Sequence, residues 1–207
     1  MMSSEKESFH TVGKAYGPEE IKEKGSRFIS YLYPITSAEE AEGIIAALRK
    51  EYHDATHVCY AFRLGEGNEE YSRFSDDGEP GSTAGLPIYN AIKANDYFNV
   101  LAVVVRYFGG TKLGTGGLAR AYGAAARKVI DSAETVTIHI KKEVSLDFPY
   151  PFTGEIMQIV NRFSLQVVNR EYTSKGVSIK LAVPVARIED VARGISEASG
   201  GKLILNI

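Results

Sequence analysis

The stretch VLAVVVRYFGGTKLGTGG, residues 100–117, decides much of the fold. Its first six residues are apolar and mostly β-branched, which is typical of a strand that is buried on both faces of a sheet. The glycines that follow cannot continue the strand, and beyond them apolar residues recur at helical spacing. The stretch therefore predicts a core strand from Val100 to Val105, a glycine-rich crossing and a helix that begins near Thr115.

The chain on either side of this stretch predicts further strands and helices. Aromatic and β-branched runs predict strands, and the sequence Ser37-Ala38-Glu39-Glu40 is a capping box that begins a helix. Gly65, Gly67 and Asn68 are the turn formers of a predicted hairpin. The predicted strands are 27–33, 56–64, 71–74 and 135–140, and the predicted helices are 37–51 and 86–94.

From Lys142 the pattern starts again. The predicted order is strand 144–148, helix 152–163, strand 165–172, strand 177–183, helix 188–198 and strand 202–207. This βαββαβ order is typical of a ferredoxin-like domain. We therefore expect an α+β protein of two domains, residues 1–141 and residues 142–207.

Composition limits the possible partners and the compartment. Against 24 Lys and Arg stand 26 Asp and Glu, so any contact with nucleic acid must be local. Cys59 is the single cysteine, which excludes an internal disulfide framework and favours a reducing cytoplasm; we expect it to be a small core residue. The longest apolar run, Val100–Val105, is far too short to span a bilayer, so no membrane partner is expected.

Positive charge is concentrated around the glycine-rich crossing, in a basic segment from Val103 to Arg127. No Asp or Glu occurs between Tyr97 and Ile130. Arg120 and Arg127 are seven residues apart and share a helix face. The glycines expose backbone N–H groups just before that helix, an arrangement that suits a phosphate group. The candidate contacts to nucleic acid are Arg106, Tyr107, Lys112, Arg120, Arg127 and Lys128, and the phosphate-loop candidates are Gly109, Gly110, Gly114, Gly116 and Gly117.

Other interpretations of this segment stay open. Tyr107 and Phe108 can stack on bases only if they point outward. Arg106, at the end of a core strand, is alternatively a structural ion-pair partner of Asp76 or Asp77. The glycines are alternatively only a tight crossing, with the cations as solvated surface.

Two alternatives belong to other classes of function. A nucleotide-dependent enzyme of the small-molecule kinase type would use Gly114–Gly117 as its phosphate loop, although G-x-x-x-x-G-K-[ST] is absent and the dinucleotide fingerprint lacks its acidic residue. A protein-interaction module without nucleic acid is the other alternative.

The remaining polar clusters favour structural roles. The acidic loop comprises Glu66, Glu69, Glu70, Asp76, Asp77 and Glu79. Carboxylates this close are able to hold Mg²⁺ or Ca²⁺, but Asp is also a preferred turn residue, and we favour turn capping. His53 and His57 do not form a zinc motif, and His57 is expected to be a hydrogen-bonded strand residue. We expect no catalytic residue, no cofactor and no metal ion.

Three motifs in the chain resemble the YigZ/IMPACT family in its bacterial two-domain form. They are Ala55-Thr56-His57, then Ser75-Asp76-Asp77-Gly78-Glu79-Pro80 followed by Thr83-Ala84-Gly85, and above all Val105-Arg106-Tyr107-Phe108-Gly109-Gly110-Thr111-Lys112-Leu113-Gly114. The resemblance covers nearly the whole chain. It implies an N-terminal domain similar to ribosomal protein S5 domain 2 and to domain IV of elongation factor G. It implies a C-terminal domain similar to domain V of that factor.

The resemblance also implies a function. Eukaryotic relatives regulate translation by competing for an activator of an initiation-factor kinase, but they use an additional N-terminal RWD domain for which we expect no room here. That partner is therefore not expected to carry over. The resemblance implies a non-enzymatic cytoplasmic module that faces RNA, the ribosome or a translation factor. Its motif loop comprises Asp76, Asp77, Gly78, Glu79 and Thr83. The sequence leaves the oligomeric state open.

Overall fold

The structure is a computed structural model that describes residues 6–66 and 69–206, without the side chains of Glu66 and Glu69. The hairpin turn predicted at Gly67 and Asn68 therefore lies outside the described residues. The chain divides into two compact units. The N-terminal unit is Phe9–Ile138, and the C-terminal unit comprises residues 6–8 and 139–206 among those described.

The N-terminal unit is built on a five-stranded antiparallel sheet. Its strand order is β2-β3-β6-β4-β5, and a separate pair joins β1 to β7. The elements are β1 (Ser8–Val12), β2 (Tyr16–Glu23), β3 (Ser26–Pro34), α1 (Ala38–Glu51), β4 (His57–Glu66), β5 (Glu69–Ser75), α2 (Gly85–Ala94), β6 (Val100–Tyr107), α3 (Thr115–Asp131) and β7 (Thr135–His139).

Strand β6 lies at the centre of this sheet and is covered on both faces. Val100, Ala102 and Val104 belong to a core that includes residues of α2 and α3. The residues between them belong to a second core that includes residues of α1. All the side chains from Val100 to Val105 are fully buried. The prediction of a strand buried on both faces is therefore confirmed, and α3 begins at Thr115 as expected.

The predicted capping box at the start of α1 is present in a shifted form. The Ser37 hydroxyl accepts a hydrogen bond from the backbone N–H of Glu40 at 3.2 Å. The Glu40 carboxylate accepts from the backbone N–H of Thr36 at 2.7 Å. In the usual box this second bond would come from Ser37 itself. The backbone N–H groups of Thr36 and Glu40 thus both have side-chain acceptors, but the first of these donors lies one residue earlier in the chain than in the usual box.

The C-terminal unit has the predicted order of elements, except at its end. It contains β8 (Lys141–Phe148), α4 (Thr153–Arg162), β9 (Gln166–Thr173), β10 (Gly176–Pro184) and α5 (Ile188–Ala198), in an antiparallel sheet of order β8-β10-β9. The predicted strand 202–207 is reduced, among its described residues, to one bridge in which Asn206 and Ser145 exchange backbone hydrogen bonds of 3.0 Å. Apolar residues of α4, α5 and the sheet form its core.

Candidate functional site

A cleft of about 420 Å³ opens in the N-terminal unit beside the glycine-rich crossing. Its walls come from the start of β4, from the loop between β5 and α2, and from the crossing between β6 and α3. The lining residues are Thr56, His57, Glu79, Pro80, Arg106, Phe108, Lys112, Leu113, Gly114, Thr115 and Leu118. All three family-like motifs of the sequence therefore contribute residues to this one cleft.

The floor of the cleft is a buried ion pair. Arg106 and Glu79 are only 5% and 8% exposed, and Arg106 Nη1 lies 2.5 Å from Glu79 Oε1. Arg106 is therefore not a surface cation, contrary to its prediction as a phosphate contact. The alternative of a structural ion pair is therefore confirmed. Its carboxylate partner is Glu79, however, so the predicted partners Asp76 and Asp77 were wrong. Burial of such a pair is tolerable only because each charge neutralises the other.

Further hydrogen bonds converge on the same carboxylate oxygen. The Tyr122 hydroxyl, on α3, donates to Glu79 Oε1 at 2.8 Å, and Cys59 Sγ lies 3.4 Å from that hydroxyl. Burial raises the pKa of the Cys59 thiol and that of Tyr122, so both groups keep their protons. Cys59 is fully buried, as predicted for a small core residue. Strand β4 and helix α3 are thereby tied to the loop that carries Glu79.

His57 has one ring nitrogen fixed by the backbone. Its Nδ1 lies 2.7 Å from the carbonyl oxygen of Asp77, which can only accept, so Nδ1 carries the hydrogen. In the neutral ring Nε2 is then an acceptor, and it lies 3.8 Å from Glu79 Oε1. The predicted hydrogen-bonded strand histidine is confirmed. The structure adds that this histidine lines the cleft.

The loop between β5 and α2 is held by its own aspartates. Asp76 Oδ1 accepts from the N–H groups of Ala84 and Gly85, and Oδ2 accepts from that of Ser82, all within 2.9 Å. Burial alone would raise the pKa of Asp76, but these backbone donors outweigh it and lower the pKa. Asp77 Oδ2 accepts from the N–H of Val58 at 2.7 Å. The turn-capping interpretation of the acidic loop is thus confirmed for Asp76.

The rest of the motif loop completes the turn, and its carboxylates are engaged by protein donors. The Thr83 hydroxyl donates to the carbonyl of Pro80 at 2.6 Å, and Gly78 adopts a φ of 87°. Asp77 Oδ1 pairs with Arg49 Nη2 at 2.5 Å. Glu70 accepts from Arg63 and Tyr89. Among the described residues no three His, Cys, Asp or Glu side chains are grouped as metal ligands.

The five predicted phosphate-loop glycines have different roles. A Cβ on Gly109 would stand 1.9 Å from the backbone carbon of Gly25, and the Gly109 N–H already donates to the Ser26 hydroxyl at 3.2 Å. Gly109 is therefore a close-packing glycine and does not offer its amide to a phosphate, which corrects the prediction. Gly114 precedes α3 with a φ of 73°, a left-handed conformation that favours glycine.

The start of α3 offers unused backbone donors. No side chain caps it, and no acidic residue lies in its first turn, which contains Gly116 and Gly117. Gly110 and Gly116 are exposed, and a Cβ on Gly110 would meet nothing within 4 Å. This part of the crossing therefore keeps the geometry of an anion site at a helix N-terminus.

The predicted basic and aromatic residues separate into exposed and engaged groups. Lys112, Arg120 and Arg127 are exposed. Lys128 is held at β2, with Nζ 3.2 Å from Glu19 Oε2 and 3.0 Å from the carbonyl oxygen of Glu20. Its charge is therefore already compensated, and it is a weak candidate for a phosphate contact.

The stacking residue predicted from the sequence is also engaged. The hydroxyl of Tyr107 donates to Asp54 Oδ1 at 2.7 Å, and the Arg27 guanidinium lies 5.6 Å from its ring centre. That hydrogen bond to a carboxylate raises the pKa of Tyr107. The outward aromatic ring is that of Phe108, which is 47% exposed and lines the cleft. Phe108 is thus the more exposed of the two candidate rings, although the Arg106 guanidinium also lies 5.6 Å from its ring centre.

Two residues of the site carry no signal in the sequence. Ser26 lies in a segment without a motif, yet its hydroxyl accepts from Arg106 Nη2 and from Gly109 N–H. Tyr122 lies among the buried residues of α3, where its spacing indicates only packing, yet its hydroxyl donates to Glu79. Both contacts join segments distant in the chain, which spacing cannot reveal.

These features define a mixed α/β protein of two units, with a cleft above a buried Arg–Glu pair in the larger unit. The Impact N-terminal domain family matches residues 24–130, which include every residue of this cleft. The chain therefore belongs to the IMPACT family.

Similar proteins extend over nearly the full length. IMPACT family member YvyE of Bacillus subtilis is 33% identical, over 94% of this chain and 88% of its own. IMPACT family member YigZ of Escherichia coli is 33% identical, over 90% of this chain and 91% of its own. A crystal structure of a hypothetical protein is 30% identical, covers 97% of both chains and superposes with a TM-score of 0.66. Among the described helices, none combines the length and apolar character that crossing a membrane requires.

Proposed function

We propose that this protein is a non-enzymatic, cytoplasmic regulator of translation that contacts phosphates of RNA or of the ribosome through the basic segment. The observation that carries the proposal is the start of α3, where no side chain caps the backbone donors and the exposed Lys112 and Arg120 lie close by in the chain. Membership of the IMPACT family supports the link to translation, because the family resemblance implies that role for its eukaryotic members. Among the predicted basic residues, we propose Lys112, Arg120 and Arg127 as those that contact the phosphates.

Two of the three exposed cations, Lys112 and Arg120, lie on neighbouring surface. Lys112 lines the cleft described above, and Arg120 lines a second depression of about 280 Å³ with Lys24 and the acidic Glu23. Leu113 lines both depressions, so the two lie side by side. A strand of single-stranded RNA tracks such a row of cations through its backbone.

The proposal extends to the two units as domains with a boundary near Lys141. The N-terminal one would be similar to ribosomal protein S5 domain 2. The C-terminal one would be ferredoxin-like, which is supported by the sheet order β8-β10-β9 and by the bridge that brings Asn206 beside β8.

The test is the salt dependence of RNA binding, measured by fluorescence anisotropy with a labelled single-stranded oligonucleotide. Three phosphate contacts predict that log K falls with log salt concentration at a slope of about −2, since each contributes about −0.7. Arg120→Glu combined with Arg127→Glu is expected to weaken binding by more than about tenfold, because two attractive charges become repulsive.

The matched control reverses two exposed cations elsewhere, Lys50→Glu with Lys180→Glu, and so changes the net charge equally. Binding that is independent of salt, or equally weakened by the control, would overturn the proposal. Co-purification with a protein partner after nuclease treatment, without affinity for RNA, would favour the protein-interaction alternative.

A further inference from the structure

The cleft beside the glycine-rich crossing has the properties of a small-ligand site. Its volume of about 420 Å³ lies in the range of about 300–1,000 Å³ that such sites occupy. Leu113, Leu118 and the half-exposed ring of Phe108 give it apolar walls, whereas His57, Glu79 and Arg106 give it a polar floor. Apolar walls around a few fixed polar groups are the usual composition of a ligand pocket.

The charges around the cleft favour an anionic ligand. The Glu79 carboxylate is neutralised by Arg106 and accepts from Tyr122. Asp77, the next carboxylate along the loop, is paired with Arg49. Lys112 lies at the cleft and forms no ion pair with any residue that the structure describes. The start of α3 adds the positive end of a helix of 17 residues.

The floor itself retains an unused donor. Arg106 is buried, and its Nε has no hydrogen-bond partner within the described part of the chain. A buried N–H without an acceptor is destabilising, and native structures rarely leave one. Arg106 lines the cleft, but its Nε atom is itself covered, so an acceptor on a ligand reaches this N–H only if neighbouring side chains move.

The floor presents donors and acceptors together. The Glu79 carboxylate accepts and the Arg106 guanidinium donates, and His57 Nε2 accepts when the imidazole ring is neutral. The edges of nucleobases carry the same mixture within a flat ring. Phe108 offers the apolar ring on which such a base stacks.

We propose that this cleft binds one nucleoside monophosphate unit, with the base against Phe108 above the polar floor and the phosphate between Lys112 and the start of α3. The unit is either a free nucleotide or one nucleotide of an RNA strand, and the two share the same chemistry. One unpaired lysine at the cleft suits a single phosphate. The proposal deepens the proposed function, since Lys112 belongs to both.

The test uses the full chain and titrates each of the four ribonucleoside 5′-monophosphates by NMR or calorimetry. We expect at least one to bind. Phe108→Ala should weaken its binding about 5-fold to about 100-fold, the effect of removing an aromatic ring that stacks on a base. Lys112→Ala should weaken the monophosphate but leave the affinity for the corresponding nucleoside unchanged, because the nucleoside lacks the group that Lys112 contacts.

Two controls match these variants. Phe74→Ala removes a ring on β5 that is 43% exposed and does not line the cleft, and Lys50→Ala removes an exposed cation on α1. Both should bind the monophosphate as the unchanged protein does. Failure of all four nucleotides to bind at millimolar concentration, or equal affinity of the Phe108→Ala variant, would overturn the inference.

Nucleotide binding in the cleft and RNA binding by the exposed cations are tested separately, so failure of one is distinguishable from failure of the other. Arg127→Glu alone should weaken RNA and leave the monophosphate bound, because Arg127 does not line this cleft and lies more than three helical turns beyond the start of α3. RNA binding that depends on salt, together with no nucleotide binding, removes only the inference. Displacement of the monophosphate by an RNA oligonucleotide identifies an RNA strand as its source, whereas absence of displacement identifies a free nucleotide; both support the cleft as the site.

Discussion

At the scale of single residues, the loop between β5 and α2 shows how one carboxylate holds a backbone. Asp76 receives three N–H groups that lie six to nine residues further along the chain. These bonds place Glu79 within the interior, where it meets Arg106. The geometry of the floor of the cleft therefore depends on a residue that does not itself line the cleft.

Asp76→Asn is expected to cost about 1–3 kcal/mol of stability at pH 7, because an amide keeps one acceptor oxygen and loses the charge. The pKa of Asp76 is lowered in the folded state, so its contribution is fully present above the unfolded pKa of about 3.9 and is lost as pH falls through the folded pKa. The difference between the two proteins should therefore shrink below about pH 4. Urea unfolding followed by circular dichroism from pH 7 to pH 3 measures it.

The exposed Asp131 is the control for this substitution. Asp131→Asn should change the stability by no more than about 0.5 kcal/mol, as is usual for exposed sites. A difference between Asp76→Asn and the unchanged protein that persists undiminished to pH 3 would contradict the account.

Residue identities in the site were only partly predictable. The turn-forming role of Asp76 follows from residue chemistry, and burial of Cys59 follows from its strand. The partner of Arg106 could not be chosen, because three carboxylates occur within four positions and the loop conformation decides which one turns inward. The sequence likewise could not show whether Tyr107 or Phe108 points outward, because that depends on how the chain turns where β6 ends.

At the scale of elements, the crossing from β6 to α3 is constrained by close contact with the turn between β2 and β3. Gly109 lies against Gly25, where no side chain fits. Gly116, in the first turn of α3, has open space where a Cβ would stand, with only Arg120 Nη1 at 3.6 Å. Glycine is thus needed for close packing at position 109, whereas at position 116 it only leaves the helix surface without a side chain.

Gly109→Ala is expected to cost about 3 kcal/mol, because its Cβ would overlap the backbone of Gly25. Gly116→Ala, the matched control, should be neutral or stabilise by up to about 1 kcal/mol, since alanine favours helix. Thermal unfolding of both variants measures the difference. Equal stability of the two would show that the crossing relaxes away from Gly25.

Most elements were predictable because their pattern and their burial agree. Strands β1 and β2 were both missed. Strand β2 lies at the edge of the sheet, and its exposed residues give no apolar alternation. The segment at 202–206 has the predicted alternation, with Leu203 and Leu205 buried and Ile204 79% exposed. Its pairing is nevertheless limited to Asn206, because alternation reports which face is buried and not how many backbone bonds form.

At the scale of the whole molecule, the two units have separate apolar cores. Ile88 is fully buried in the N-terminal unit, and Leu146 is fully buried in the C-terminal unit. Each core is assembled from its own helices and sheet. Units of this kind open as separate cooperative blocks.

Leu146→Ala and Ile88→Ala are expected to cost about 2–5 kcal/mol each, the usual loss for a large side chain removed from a core. Each should shift only the calorimetric transition of its own unit. The two variants control for each other because both delete buried aliphatic carbon. A single transition that moves equally in both would contradict independent units.

Cys59 has a practical consequence for following such motions. Thiol reagents attack the thiolate, and this thiol is buried with its pKa raised, so modification requires the N-terminal unit to open. The chain has no other cysteine, and the C-terminal unit is therefore silent to the same reagent. The rate at which a thiol reagent labels the protein therefore measures how often the N-terminal unit opens, and no engineered probe is needed.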